Sequence, residues 1–284
     1  LHIEAHSFPT RRSSDLWSVG LNLSHNKNML RKTYNGEDLN DKVLGRPVYG
    51  IYTFKDEGIV QKEEDIPMYR NASGKLIPLY FQSINNPLRV GGRKIKDQNY
   101  DGVIDDKDLY YAGSTLPAVY GGLNSHLAWK GLSLDVLFSY TIGRKVMNMY
   151  KNSAFTFTKD FGVIMNYFHA SDFWTPENRD AKYPSLEFAD KDYIGQFDGN
   201  VDSNIENISF LRLKQLVIGY QLPKNWLKGS FIKDVSLYLS GENLFLITNY
   251  SGVDPEVINP YTGKDDGTQY PLNRKVTLGL NLKF

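Results

Sequence analysis

Residues 276–284 read Val-Thr-Leu-Gly-Leu-Asn-Leu-Lys-Phe, with an apolar side chain at every second position. Side chains of a β-strand point alternately to the two faces of its sheet. The alternation therefore predicts a strand with one apolar and one polar face. Because 41% of all residues are hydrophobic, such a pattern also arises by chance, and the segments that accompany it carry the inference.

Three further segments repeat this alternation. Residues 17–24 and 235–240 alternate throughout, and residues 132–140 alternate with the single exception of Leu137. The sequence therefore predicts several half-apolar strands and an all-β fold.

Two local features predict how these strands are joined and shaped. Lys130 and Gly131 separate an upstream strand, residues 120–129, from the strand that begins at Leu132, which is the spacing of a tight hairpin. Residues 210–220 are also strand-like, but their alternation changes phase near Gln215. The change of phase predicts a β-bulge there.

Long polar connections lie between the strands, at residues 31–117, 143–207 and 241–274. Loops beyond about 15 residues are uncommon in compact soluble domains, whereas transmembrane β-barrels combine short turns on one side with long loops on the other. On this interpretation, the Lys130–Gly131 turn and residues 222–233 lie on the short-turn, periplasmic side. Residues 160–174 are compatible with a short helix inside a loop.

Composition excludes several classes of protein. The chain has 284 residues and a net charge of +1, so it lacks the basic excess that nucleic-acid binding needs. It has no cysteine, which excludes disulfides and thiolate chemistry. No run approaches the roughly 18 apolar residues of a transmembrane helix. Half-apolar strands with 19 tyrosines remain compatible with a transmembrane β-barrel, which leaves little hydropathy signal.

The first residues look foreign to the rest of the chain. Residues 6–16 resemble the translation of a short-read sequencing adapter, and an ordinary basic loop is the alternative. We therefore treat residues 1–16 as a non-native leader and residues 17–284 as the natural portion.

An acidic loop at residues 97–108 matches the template of an EF-hand calcium loop. Oxygen-bearing side chains occupy loop positions 1, 3 and 5, Gly102 allows the turn at position 6, and position 12 has Asp where the template has Glu. The alternative is an acidic surface turn without metal. The loop predicts a structural Ca²⁺ site with these ligands: Asp97, Asn99, Asp101, Val103 through its carbonyl, Asp105 and Asp108.

The sequence gives no motif for catalysis, and we expect no enzymatic activity. The histidines lack the spacing of metal ligands, and His126, in a strand, is best explained as structural or facing a barrel interior. Acidic pairs such as Asp190/Asp192 and Asp265/Asp266 are candidates for a glycosidase dyad, and solvated loop charge explains them better.

Taken in order, short motifs across residues 17–284 resemble the C-terminal part of the SusC/RagA family of TonB-linked outer-membrane transporters of Bacteroidetes. The matching features are Trp17 with residues 22–28, the loop 97–108, Tyr120-Gly121 and the following hairpin, residues 174–178 with Tyr183-Pro184, residues 210–214, Gly219-Tyr220, Leu222-Pro223, residues 240–245, residues 250–256, Tyr270-Pro271 and the terminal Phe284.

This resemblance implies the C-terminal part of a large antiparallel transmembrane β-barrel, with about six strands of a barrel of about 22, and with long extracellular loops. It also implies a place in the outer membrane, a SusD-like surface lipoprotein as partner, and import of oligosaccharides or peptides driven by TonB, which would act through an N-terminal region absent here. Residues 243–245 and 254–256 are expected to be architectural.

One alternative function fits the same strands. A secreted, calcium-stabilised β-sandwich that binds glycans would bury the apolar faces against a second sheet, whereas a barrel would turn them towards lipid. The environment of the apolar faces therefore discriminates between the two.

Overall fold

The computed structural model describes residues 15–39, 42–149, 169–189 and 200–284. Its regular elements are β-strands and short 3₁₀ turns. No helix among these residues is long and apolar enough to cross a membrane. The strands in chain order are β1 (Asp15–Ser24), β2 (Gly50–Thr53), β3 (Asp56–Ile59), β4 (Met68–Arg70), β5 (Leu76–Pro78), β6 (Tyr80–Phe81), β7 (Arg93–Ile95), β8 (Val103–Ile104), β9 (Tyr110–Ser114), β10 (Val119–Trp129), β11 (Leu132–Asn148), β12 (Ile205–Gln221), β13 (Asp234–Glu242), β14 (Leu246–Thr248), β15 (Lys264–Asp265) and β16 (Lys275–Lys283).

Six long strands form one antiparallel sheet in the order β1-β10-β11-β12-β13-β16. The short strand β14 pairs with β12, and β15 adds a brief parallel pairing to β11. Each long strand therefore lies beside the next long strand of the chain. The six long strands form a meander, and their number agrees with the prediction of about six.

The register of this sheet sorts side chains by polarity. One row of paired residues crosses all six strands on one face, and we call it the apolar row: Trp17, Leu127, Leu134, Ile218, Leu239 and Leu278. The neighbouring row on the other face is Ser18, His126, Asp135, Val217, Ser240 and Thr277. A slip of one residue in any strand would break both rows, so the alternation in the sequence fixes the register.

The two local predictions at the sheet are confirmed. Lys130 and Gly131 form the β10–β11 turn with φ of 47° and 87°, the positive values that a type I′ hairpin turn requires. In β12 the register shifts between Leu137/Gln215 and Phe138/Leu213, so Lys214 is the extra residue of a bulge. Leu137 shares the polar face with Ser133 and Asp135 and pairs with Gln215 beside this bulge.

The long connections were interpreted as polar loops, and here the structure adds what the sequence did not show. Strand β11 continues to Asn148 and β12 begins at Ile205, so both penetrate the predicted connection 143–207. The connection between β1 and β10 contains strands β2 to β9, which pair among themselves. Together with Val201 of the β11–β12 connection, it forms a buried apolar cluster, which we call the loop core: Phe54, Leu79, Phe81, Leu88, Ile95, Ile104 and Val201.

Several predictions concern residues outside the described ranges. Residues 1–14 of the proposed leader lie outside them, while Asp15 and Leu16 pair with β10 at the start of β1. Most of the proposed loop helix at 160–174 and both members of the Asp190/Asp192 pair also lie outside. The described part of 160–174 contains a 3₁₀ turn, Ala170–Asp172.

Candidate functional site

All six predicted calcium ligands belong to one compact turn at the edge of the loop core. The loop runs from Asp97, after β7, through β8 to the 3₁₀ turn Asp106–Asp108. Gly102 has φ of 87°, and a Cβ at this residue would lie 2.3 Å from the ring of Tyr69. Both the backbone conformation and the space therefore require glycine at loop position 6.

Two buried carboxylates organise this turn. Asp97 accepts hydrogen bonds from the backbone N–H groups of Tyr100 (2.6 Å) and Gly102 (2.8 Å). Asp108, which is fully buried, accepts from the N–H groups of Gln98 (2.7 Å) and Asp105 (2.9 Å). Burial raises the pKa of Asp108, while these backbone hydrogen bonds act to lower it and the charge of Asp97 adds to the increase.

The remaining predicted ligands lie on the exposed side of the turn. Asp101 accepts from the N–H of Val103 at 3.0 Å, and Asn99 accepts from the N–H of Asp101 at 3.0 Å. Asp105 accepts from the N–H of Lys107 at 2.8 Å, and the Lys107 ammonium is 3.7 Å from its carboxylate. Each side chain therefore stabilises the backbone of its own loop.

The donor set has the chemistry of a hard-cation site, because Ca²⁺ takes six to eight oxygen ligands. Among the residues that the structure describes, however, no three carboxylate or imidazole side chains gather as a metal-binding group. The turn is closed by carboxylate to N–H hydrogen bonds in this geometry, and the calcium site stays a prediction.

A second polar cluster joins strand β12 to the loop that follows β14. Arg212 is buried and contacts Asp254 (2.5 Å) and Glu256 (2.7 Å), and Lys214 contacts the other oxygen of Glu256 (2.5 Å). Asp254 also accepts a hydrogen bond from the N–H of Leu272 at 3.1 Å. We call these four charged residues the Arg212 network. It gives residues 254–256 the architectural role expected for them.

Another buried cation fixes two loops to β11. Arg144 donates to the carbonyl oxygens of Thr115 (3.0 Å), Pro255 (3.2 Å) and Ile258 (3.0 Å). Its guanidinium thus holds the chain before β10 and the loop after β14 against one strand. Sequence reasoning missed this residue, because its acceptors are backbone atoms that lie 29 to 114 positions away and leave no sequence signal.

Asp202 connects two other loop segments. Its carboxylate accepts from the Lys55 ammonium (2.6 Å), the Tyr110 hydroxyl (2.7 Å) and the backbone N–H of Asp56 (2.9 Å). Burial acts to raise the pKa of Asp202, but the hydrogen bonds from Lys55 and Tyr110 outweigh it and the pKa lies below its ordinary value. The carboxylate is therefore charged at neutral pH and holds β3 and β9 together.

The candidate catalytic residues have structural environments. Asp265 is buried and accepts from the Tyr250 hydroxyl at 2.5 Å, and Asp266 accepts from the Thr268 hydroxyl at 2.7 Å. His126 lies on the polar face of the sheet, 2.5 Å from Asp135 of the adjacent strand. This place on the polar face agrees with the prediction that His126 is structural or faces the interior.

The loops also form an open cleft of about 470 Å³ beside the acidic turn. Tyr49 and Tyr261 border it, with ring centroids 5.2 Å apart in an edge-to-face arrangement. Lys42, Lys264 and Asp106 also line it. Its walls come from three separate connections, since Asn200 also lines it, and a linear sequence does not show these connections to be adjacent.

The six-stranded sheet with one exposed apolar face, short turns at one end and folded loops at the other defines a segment of a large antiparallel transmembrane β-barrel. Solved structures of the RagAB peptide transporter have the same fold: TM-score 0.66, 22% identity, covering 99% of this chain and 28% of that chain. The RagAB peptide importer in its open-open state gives TM-score 0.66 at 23% identity.

Sequence comparisons give the family. The chain is 30% identical over 288 residues to TonB-dependent receptor P26 of Formosa agariphila, covering 94% of this chain and 27% of that protein. It is 26% identical to TonB-dependent receptor P3 of the same organism over 94% of this chain. It is 30% identical over 190 residues to TonB-dependent receptor SusC of Bacteroides thetaiotaomicron, covering 66% of this chain and 17% of that receptor.

No protein-family model matches the chain. The chain spans about 27% of the length of the two Formosa receptors. Over the part that it spans, it belongs to the SusC/RagA family of TonB-dependent receptors, which confirms the resemblance inferred from its motifs.

Proposed function

We propose that this chain is part of an outer-membrane transporter that imports large nutrients, oligosaccharides or peptides, in a TonB-dependent manner. The observation that supports this most is the apolar row, because leucine and tryptophan side chains on it are left exposed, for example 77% for Leu278 and 65% for Trp17. A protein surface of this kind needs an apolar phase around it.

The secreted β-sandwich is the alternative, and the same row argues against it. A sandwich would bury Leu127, Ile218 and Leu239 against a second sheet, and the described residues supply no such sheet, since these side chains are 41%, 42% and 45% exposed. The relatives are named as receptors and transporters, which favours transport over a binding module and over an enzyme.

We propose the partners by analogy with the relatives. The proposed transporter works with a SusD-like surface lipoprotein, which captures the nutrient outside the cell, and with TonB, which drives the import. The structural neighbours are named as a peptide transporter, which supports peptides as one substrate class. Oligosaccharides are the second substrate class of the proposal.

Two measurements test this proposal. The full gene product should fractionate with the outer membrane and require detergent for extraction. A strain that lacks the gene should lose uptake of a labelled oligosaccharide or peptide, and uptake should return with the gene but not when TonB is deleted. A full gene product that stays soluble without detergent contradicts the proposal.

We further propose that the acidic turn binds Ca²⁺ and thereby rigidifies the loop core. The oxygen-bearing residues at loop positions 1, 3, 5, 9 and 12 support this, and binding would require their side chains to turn towards one point. Ca²⁺ should then raise the melting temperature of the full gene product. The double substitution Asp97→Ala with Asp101→Ala should remove that increase, whereas Glu63→Ala with Glu64→Ala should keep it. If Ca²⁺ gives the unmutated protein no increase, the turn is held by its hydrogen bonds alone.

A further inference from the structure

The short-turn end of the sheet carries a concentrated positive charge. We call this end the short-turn rim: the turn at residues 130–131, the connection 222–233 and residues 283–284. Hydrogen bonds make it continuous, because the N–H of Gln221 donates to Gly131 O at 2.8 Å and the N–H of Lys233 donates to Lys283 O at 2.7 Å. Five exposed lysines lie on this rim: Lys130, Lys224, Lys228, Lys233 and Lys283.

The rim lysines form no ion pairs among the described residues, although Asp234 follows Lys233 and pairs with Lys283 across β13 and β16. The carboxylate of Asp234 is hydrogen-bonded to Gln221 at 3.0 Å. The whole chain has a net charge of only +1. The excess at the rim therefore reflects segregation of charge to one end of the sheet, with the acidic turn 97–108 among the loops at the other end.

Aromatic side chains accompany these lysines. Three of the four tryptophans of the chain lie at this end, namely Trp17, Trp129 and Trp226, and they are 65%, 51% and 73% exposed. Phe231 and Phe284 stack with ring centroids 5.7 Å apart. The Lys130 ammonium lies 4.9 Å from the Trp129 ring. Trp and Phe at the end of an apolar face mark the boundary between hydrocarbon and head groups.

We infer that the short-turn rim binds the phosphate head groups of anionic phospholipids in the membrane leaflet that surrounds it. The aromatic residues place the rim at head-group depth, and lysine side chains extend from the apolar zone to bring their ammonium groups to that level. The positive rim and the negative phosphates are complementary in charge. This inference rests on the proposed membrane location and adds a specific lipid class to it.

Native mass spectrometry of the full gene product tests the inference directly. The protein is reconstituted in vesicles of equimolar phosphatidylglycerol and phosphatidylcholine, extracted, and its retained lipids are counted. The unmutated protein should retain phosphatidylglycerol preferentially. The rim variant Lys224→Gln, Lys228→Gln, Lys233→Gln should lower that preference by about a hundredfold, because each lysine near an anionic surface contributes about fivefold and the three contributions multiply.

A matched control separates the rim from total charge. The variant Lys32→Gln, Lys62→Gln, Lys75→Gln loses the same charge from exposed lysines among the loops, and it should keep the preference. If the rim variant fails to assemble, the same lipid preference is measured for the unmutated protein at increasing salt. Raising NaCl to about 0.5 M should weaken that preference, because salt screens the attraction between lysines and phosphates.

The remaining outcomes overturn the inference. An unchanged preference in the rim variant, an equal loss in the loop variant, or a preference that salt does not alter contradicts lipid binding at the rim. A normal lipid preference together with weaker binding of the purified periplasmic domain of TonB assigns the rim to a protein instead. Nutrient uptake measured on the same variants distinguishes lipid binding at the rim from the proposed transport function. If the unmutated protein shows no lipid preference but imports normally, only the inference about lipid binding is overturned.

Discussion

The apolar face of the sheet and the loop core contain the same types of side chain in opposite environments. Leu278 and Leu280 of the sheet are 77% and 56% exposed, whereas Ile104 and Leu88 of the loop core are 0% and 1% exposed. The loops supply their own apolar partners, and the sheet receives its partners from outside the described chain. The same chain therefore contains one region stabilised by its own packing and one that depends on the surrounding membrane.

The largest loss of stability is expected when a buried charge on the loop side, that of Arg212, is removed. Arg212→Gln leaves the buried Asp254 without its cation and leaves Glu256 with Lys214 alone, which should cost about 3–5 kcal/mol of the free energy of unfolding. Denaturant unfolding of the full gene product in lipid vesicles measures the loss. The exposed Arg31→Gln is the control and should change little. A loss for Arg212→Gln below about 1 kcal/mol would show that the loops hold together without this network.

The loop core should respond next. Ile104→Ala removes a fully buried side chain and should cost about 3 kcal/mol through lost burial and a cavity. Ile84→Ala, at a side chain that is 65% exposed, is the matched control and should be nearly neutral. The same unfolding measurement compares them. Equal losses of stability for the two variants would mean that Ile104 is not buried in the folded protein. The loop core would then not differ from the exposed apolar face of the sheet.

The two faces of a single strand sharpen the comparison further. Leu278 and Thr277 are neighbours on β16 and lie on opposite faces. Leu278→Lys should cost about 2–4 kcal/mol in lipid vesicles, because it places a charge in hydrocarbon. Thr277→Lys points to the polar face and should cost less than about 1 kcal/mol. The reverse order would place the membrane on the other face of the sheet.

Asp202, on the loop side, is expected to make a contribution to folding stability that is lost in acid. Asp202→Asn should cost about 1–3 kcal/mol at neutral pH, where the charged carboxylate accepts three hydrogen bonds. Because the pKa of Asp202 is lowered on folding, its contribution is complete above the unfolded value near 4 and is lost as the pH falls through the folded value. The difference in melting temperature between variant and unmutated protein should therefore shrink below about pH 4. A difference that stays constant down to pH 3 contradicts this assignment, and Glu64→Gln, at an exposed residue, serves as the control.

The sequence predicts the two regions to very different depths. Strand alternation has a period of two that any half-buried sheet must obey, so the faces, the hairpin at Lys130 and the bulge beside Gln215 can be read from neighbouring residues. The loop core cannot be read in this way, because Val201 reaches Phe54 across 147 positions. The Arg212 network is hidden for the same reason, since Asp254 lies 42 positions along the chain. The sequence also predicts a turn at residues 97–108, but it does not predict that the carboxylates there accept hydrogen bonds from the backbone of the turn.

The smallest expected effect tests whether a polar group on the apolar face needs a partner. Ser125 lies on that face between Val19 and Val136, and its hydroxyl accepts a hydrogen bond from the Trp17 indole at 3.0 Å. Trp17→Phe removes the donor and should cost about 1 kcal/mol in lipid vesicles, since the serine hydroxyl is then unpaired in hydrocarbon. A second substitution, Ser125→Ala, should restore most of that loss, and the double-mutant cycle cancels the difference in ring size. If the two substitutions simply add, the indole does not satisfy the hydroxyl, and water must reach this part of the face that we assign to lipid.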